Sequence, residues 1–544
     1  MSSIRPPRAR RFPLTGTLRL GRPSDIWFKP ALSVVAAVAP PNLTLVALGR
    51  LDLAAYAMAG SLCALYAHNR PYASRARVLA GVVLGMLGGL GIALVTASLT
   101  TDPVVLVTVG ALLAAAQKAL CDATRLGPPA NVIFTFVSSA ALFVPQNLDQ
   151  VPGHLATAAV AGVWAWIVCM APGLLRPHGP ERRAVAQALH AAAAHATASS
   201  GTVGAQTRAR GAAAVQAAWR ALFSAGDRSA PRHALERLLV RAEVALAAPA
   251  DAEPERLRAW ARALRGTGPV PQARTLGDAA DDILGVEAER AAPARSLWRV
   301  LGPLAPLAVR TALGCALAGY ASLALGVGRP YWALVTAASL YQANLTLTWN
   351  RAVQRVVGNL VGVLAFVAVA PLAHLGPLAL VLCCLALSFG AEALISRNYW
   401  LGSVCVTPMA LLVTEFARFQ RPAELITDRI LDTLVGALVG FAAAVAVTNR
   451  RAGDRVESAL AVVERAREHA ARTVADACAT PGALETARRG LAAALVDLRA
   501  TVDAAAGEWW QRELPEERVM RAERAGHRTL AATVRRHAAE GTPA

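Results

Sequence analysis

Lysine is almost absent from this chain: of 55 basic residues only Lys29 and Lys118 are lysines, and arginine supplies the rest. Charge as a whole is scarce, at 17% of residues against 55% hydrophobic ones. Soluble chains carry roughly 25% charged residues, so an ordinary soluble protein of 544 residues is disfavoured. The apolar surplus is gathered into runs, which points to membrane spans. Cysteine is sparse too. Cys63, Cys169, Cys315, Cys383, Cys384 and Cys405 lie in apolar runs, where a thiol behaves as a small hydrophobe; Cys121 and Cys478 are isolated. Without a Cys-x-x-Cys pair, neither zinc nor a disulfide framework is indicated. Walker A, His-Glu-x-x-His and Gly-x-Ser-x-Gly patterns are all missing, so ATP is not a built-in energy source and neither enzyme activity nor a cofactor is expected. The glycines of Gly85–Gly91 imitate a dinucleotide-binding pattern, but they sit in an apolar run with no preceding strand. The net charge of +19 is dispersed and carries no nucleic-acid motif, so nucleic acid is not an expected partner.

What is present is a plan of two apolar halves, each followed by a segment rich in Ala, Arg and Glu. The first half has apolar stretches near 29–49, 51–67, 78–99, 103–120, 130–145 and 154–175. The second has them near 304–327, 330–348, 356–372, 375–394, 400–416 and 429–448. Each approaches the ~20 residues that cross a bilayer as a helix. The expected fold is all-α: a polytopic membrane protein of two parallel six-helix transmembrane repeats, each followed by a cytoplasmic helical segment. The expected segments are a basic cytoplasmic N-terminus (1–26), the first repeat (27–176), a helical domain (177–297), the second repeat (298–449) and a helical C-terminal domain (450–544). The basic start has no short apolar core before a cleavage site, so no cleaved signal is expected and the first span directs insertion.

Arginine placement sets the orientation. Arg70, Arg75, Arg77, Arg125, Arg351, Arg355 and Arg397 fall on one side, where Arg176, Arg182, Arg183, Arg450, Arg451 and Arg455 also open the two polar segments. The other side has Arg329, Arg418 and Arg421 among Asp102, Asp149, Glu415 and Glu424. This bias puts both termini and both polar segments in the cytoplasm of a cell whose inner, or plasma, membrane holds the spans. In the polar segments, apolar residues recur at three- and four-residue spacing, as in "ALERLLVRAEVALAA", and Pro-Gly punctuation divides them, which predicts small bundles of helical hairpins.

The halves repeat each other. "KPAL" from Lys29 matches "RTAL" from Arg310, "GVVLG" from Gly81 matches "GNLVG" from Gly358, and "KAL" from Lys118 matches "EAL" from Glu392. Lys29 and Arg310 are thus one site in two copies, a cation near the start of each first span. Lys118 and Glu392 are also one site, with opposite charges, and either meet across the symmetry axis or reach the headgroups separately.

The second half carries two denser motifs. One runs from Tyr331-Trp332-Ala333 through Thr336 and Gln342 to Arg351, Arg355, Gly358 and Gly362; the other holds Arg429, Asp432, Thr433 and Gly436. Together with the six-plus-six layout they resemble the fusaric acid resistance and aromatic acid exporter (FUSC-like) family. The usual proline after Gln342 is Ala343 here, and the first half has Leu155 and Ala158 where the second has Arg429 and Asp432. The resemblance implies efflux of small organic anions, aromatic carboxylic acids among them. A site for such anions needs fixed cations and an aromatic surface. The candidates for substrate binding are Lys29, Arg310, Tyr331, Trp332, Gln342 and Arg429, with Glu392 and Asp432 as proton-coupling groups and Lys118, Arg351 and Arg355 as basic residues of the cytoplasmic face. Several of these have plainer readings. Tyr331 and Trp332 suit an aromatic belt at the outer interface, Arg429 and Asp432 a structural ion pair one turn apart, and Arg351 and Arg355 a lipid-phosphate contact. A passive anion channel, or a scaffold anchoring the helical segments to an envelope partner, are the rival functions. Homo-oligomerisation and a membrane-fusion partner are left open.

Overall fold

A computed structural model describes residues 16–21, 26–198, 202–225, 229–272, 304–416, 420–447, 452–508 and 514–540. Arg418, Arg450, Arg451 and the boundary at 297–298 lie outside these residues. Among the described residues every regular element is helical. The first half comprises α1 (Phe28–Ala47), α2 (Ala54–Ser61, flanked by 3-10 turns), α3 (Tyr72–Leu99), α4 (Pro103–Ala123), α5 (Val132–Leu142), α6 (Val151–Met170) and its short continuation α7 (Pro172–Leu175). A polar bundle follows: α8 (Gly179–Ala196), α9 (Thr202–Ala225), α10 (Ala230–Ala247) and α11 (Pro254–Arg265). The second half is α12 (Ala305–Ala324), α13 (Tyr331–Leu340), α14 (Leu345–Ala373), α15 (Pro377–Ile395), α16 (Tyr399–Thr414) and α17 (Pro422–Ala446). The chain closes with α18 (Ala452–Ala475), α19 (Pro481–Ala506) and α20 (Glu516–Glu540).

Among the described residues, eight helices are long and apolar enough to cross a bilayer; the apolar elements at 51–65, α5, α13 and α16 are shorter. These four stand second and fifth in each half, so both halves run long, short, long, long, short, long. The packing partners correspond as well. The second element touches the sixth, α2 on α6 and α13 on α17, and the third touches the fifth, α3 on α5 and α14 on α16. Between halves, α1 packs on α15 and α12 on α4.

The short elements correct the expectation of twelve full-length spans. At 1.5 Å per residue, the 10 residues of α13 rise only about 15 Å, roughly half a hydrocarbon core. Non-helical backbone at that depth is tolerated only where protein or a water-filled cavity satisfies it. The breaks at 66–71, 124–131, 143–145 and 341–342 indeed contribute to the wall of one large cavity. A second boundary also moves. Asn344 caps α14, its Oδ1 accepting from the Leu347 amide at 2.9 Å. The helix therefore begins at Leu345, and Arg351 and Arg355, expected in a connection, lie inside it.

Prolines within spans are compensated locally. Pro40 in α1 frees the carbonyl of Ala36, which accepts from Trp164 Nε1 of α6 at 3.0 Å. Glycines set the helix spacing around the cavity. A β-carbon at Gly362 would stand 2.6 Å from Thr407 Cβ, and one at Gly440 3.0 Å from Ala337 Cα. Only glycine lets α14 close on α16, and α17 on α13, at these points.

The polar segments fold as the periodicity predicts. Leu189, Trp219, Leu222, Leu235, Leu238 and Leu257 form one core, and Val456, Leu460, Val463, Leu491 and Leu498 another. Ser229–Pro231 and Thr480–Pro481 start helices, as their turn chemistry requires. Both bundles sit at the same end of the spans. Ser74 of α3 meets Ser224 of α9 at 3.4 Å, and Thr346 of α14 meets Gly507 after α19.

Candidate functional site

The cavity between the halves has a volume of about 1760 Å³ and draws its wall from both. Its middle is built on α13, α14 and α17. Arg429 enters from the second turn of α17 and is 1% exposed. Its guanidinium carbon lies 3.8 Å from the centre of the Trp332 ring, and Nη2 donates to Asn359 Oδ1 at 3.1 Å. Asn359 Oδ1 also accepts from Thr407 Oγ1. Nε and Nη1 of Arg429 are buried without a hydrogen-bond partner. One turn back along α14, Arg355 donates from Nη1 to the Tyr399 hydroxyl at 2.9 Å, and its Nε is also buried unpartnered. Arg351 caps the other side of Tyr399, its guanidinium 3.9 Å from the ring centre. The site therefore sets three guanidinium groups against two rings, Arg429 on Trp332, and Arg355 and Arg351 on Tyr399. Arginine held against an aromatic face keeps its charge and its planar donor fork.

Tyr331 and Trp332 are not an aromatic belt. They are 7% and 1% exposed and join Phe143 and Phe136 of the first half, with ring centres 5.7 and 5.8 Å apart respectively. The reason is the shortness of α13, which puts its first residues against α5 rather than at the lipid boundary. The expected ion pair between Arg429 and Asp432 does not form either. Asp432 Oδ1 instead accepts from Ser322 of α12 at 2.5 Å, because the α17 face that carries it packs there, while Arg429 turns to α13 and α14.

The remaining candidates divide. Gln342, Lys118, Glu392, Arg351 and Arg355 share the cavity wall with Tyr331, Trp332 and Arg429. Lys118 and Glu392 do not pair: Lys118 Nζ bonds Asp122 at 3.0 Å, its neighbour one turn on, and no ion pair or hydrogen bond reaches Glu392 among the described residues. Lys29, Arg310 and Asp432 are not on the wall. Arg310 is buried and donates from Nε and Nη2 to the Val447 carbonyl, at 3.0 and 2.6 Å, which caps the end of α17.

Charge on the wall is polarised along the spans. At the end nearest the polar bundles stand Arg70, Lys118, Arg125, Arg351, Arg355 and Arg397, with Glu392 as the carboxylate. At the opposite end stand Asp52, Glu424 and Asp428, with Arg329 as the cation, ion-paired to Asp428. Asn359, Tyr399 and Phe136 were not singled out as candidates from sequence. Asn359 had a readable signal, being the polar residue between Gly358 and Gly362; Tyr399 and Phe136 are placed by tertiary packing alone.

Among the described residues, no cluster of His, Cys, Asp and Glu could hold a metal ion. Residues 315–443 match the model of a family described as fusaric acid resistance protein-like. The chain is also 24% identical over 436 residues to an uncharacterized membrane protein, YvaC, of Bacillus subtilis (strain 168), covering 72% of this chain and 68% of that one. No solved structure matches. The chain is a multi-pass membrane protein whose residues 315–443 are similar to the fusaric acid resistance protein-like family.

Proposed function

We propose that this protein is a secondary transporter that moves small organic anions, aromatic carboxylates in particular, out of the cell through the cavity between its halves. The observation that carries this reading is the wall itself, with cations gathered at the bundle end, arginine–ring pairs in the middle and carboxylates at the far end. If the bundles face the cytoplasm, an anion is drawn in on the cytoplasmic side, held by a buried guanidinium and a ring, and released past like charge. Arg429, Trp332, Tyr331 and Gln342 form the binding residues in this scheme, and Arg351 and Arg355 the entry. Glu392, which stands on the wall without an ion pair among the described residues, is the proposed proton carrier that distinguishes a carrier from a passive channel. The corresponding lengths and contacts of the two halves support descent from one duplicated unit.

Proteoliposomes loaded with labelled hydroxybenzoate supply the test. Wild-type protein is expected to release it faster under an inward proton gradient, Arg429→Gln to reduce release by about tenfold or more, and Glu392→Gln to abolish the response to the gradient. Release by Arg429→Gln at the wild-type rate sinks the site. Release that ignores the gradient in wild type moves the protein from carrier to channel.

A further inference from the structure

Among the described residues, the two buried arginines in the middle of the cavity form no ion pair. Asp428 is ion-paired with Arg329, and Asp432, one turn from Arg429 on α17, turns its Oδ1 to the Ser322 hydroxyl and forms no ion pair with Arg429. Glu392 makes no ion pair or hydrogen bond among the described residues. Arg429 is 1% exposed and Arg355 4% exposed, and each has at least one guanidinium nitrogen buried without an acceptor. Arg429 reaches Asn359, which stands four residues after Arg355 on the same helix. Arg355 and the residue that receives Arg429 thus stand one helical turn apart, with ~6 Å between the side-chain origins of Arg355 and Asn359. Burying two like charges is unfavourable unless an anion sits between them or beside each. A monoanion pairs directly with one of the two guanidinium groups and leaves the other without an anionic partner; a dianion pairs with both.

We infer that the preferred substrate is a dianion, a ring bearing two acid groups, with one group taken by Arg429 beside Trp332 and the other by Arg355 beside Tyr399. This deepens the anion-transporter reading and rests on it. Arg429 and Arg355 hold their donor forks against aromatic faces or hydroxyls that fix their orientation. A guanidinium so oriented pairs with a carboxylate through two parallel N–H donors. The rings beside the two arginines offer faces on which the ring of the substrate stacks.

The test compares benzoate with benzene-1,3-dicarboxylate as ligands of the purified full-length protein, by calorimetry and by competition for transport in proteoliposomes. The dicarboxylate is expected to bind wild type about tenfold more tightly or better, since it makes a second charged pair. Arg355→Gln and Arg429→Gln are each expected to erase that preference, bringing the two ligands to within about twofold while benzoate binding persists at the surviving arginine. Equal affinity of wild type for the two ligands overturns the dianion inference and leaves the anion reading standing. Failure of both ligands to bind overturns the anion reading itself. Because the decisive comparison is made on wild type, poor folding of either variant does not protect the inference.

Discussion

Arg429 is held by a ring above and an amide beside it, and each contact makes a separate demand. A cation on an aromatic face gains ~0.5–2 kcal/mol, most when desolvated. Trp332→Phe keeps a face for the guanidinium, whereas Trp332→Leu leaves none. Benzoate affinity should therefore fall modestly in the first and by a further factor of several in the second, read from calorimetric Kd. Equal losses in the two variants would show that Trp332 acts only by filling space. Outside the spans, burial and the nearby charges of Arg208 and His195 hold His527 well below the ordinary histidine range, at about 4. The folded state therefore binds fewer protons than the unfolded one between about pH 4 and 6.5. Stability of the polar bundles should decline as pH falls through that window, by an amount on the order of 3 kcal/mol, and then level off. His527→Leu should flatten the decline. Thermal unfolding at graded pH reads this, and an unchanged slope in the variant removes His527 as the cause.

Helix elements meet at the cavity through glycine, and that makes their spacing testable. Gly362 faces Thr407 across the contact of α14 with α16, and the same helix carries Arg351, Arg355 and Asn359. Gly362→Leu inserts a side chain where only hydrogen fits, and overpacking of this kind costs ~1–3 kcal/mol. The variant should unfold at a lower temperature in detergent and bind anions weakly, because Asn359 and Arg429 separate; unfolding and binding at wild-type values would show that the contact gives way freely. The elements also show how far the sequence can be read. Hydropathy locates all twelve apolar stretches, since a run of apolar residues is a property of the chain itself. It overextends the second stretch of the second half most, running to 348 where α13 ends at Leu340. The ends of α13 and α5 are stabilised by a cavity that other segments complete, and no local pattern encodes a cavity. The site divides in the same way. Arg429, Trp332 and Gln342 are legible because charge, ring and amide in an apolar stretch are unusual. Their partners are not, since Arg429 meets Asn359 across 70 residues of chain. Arg310 and Lys29 illustrate the converse: a cation in a span signals a constraint, and for Arg310 that constraint is the carbonyl of Val447.

At the scale of the whole molecule, the polar bundles are joined both to each other and to the break that lines the cavity. Arg488 of α19 pairs with Glu243 of α10 at 2.8 Å, and Glu243 accepts from Trp219 Nε1 at 2.6 Å, all in buried surroundings. The two segments, far apart in sequence, are therefore joined by a buried ion pair. Their firmest hold on the spans is at Gly507, whose carbonyl accepts from the Thr346 amide at 3.1 Å and from Thr346 Oγ1 at 2.8 Å. A β-carbon there would collide with the Asn344 amide, the cap of α14, two residues beyond Gln342 on the cavity wall. The bundles thus dock on the non-helical stretch between α13 and α14, which lines the cavity through Tyr341 and Gln342. Gly507→Val should break this docking while leaving the bundle cores intact, since Leu460, Leu491 and Leu498 are unaffected. The expected result is faster protease release of an intact α18–α20 fragment together with altered anion flux. Faster release with unchanged flux would mean that the bundles are carried by the spans without governing them. Unchanged release would mean that the Gly507 contact is not what holds them.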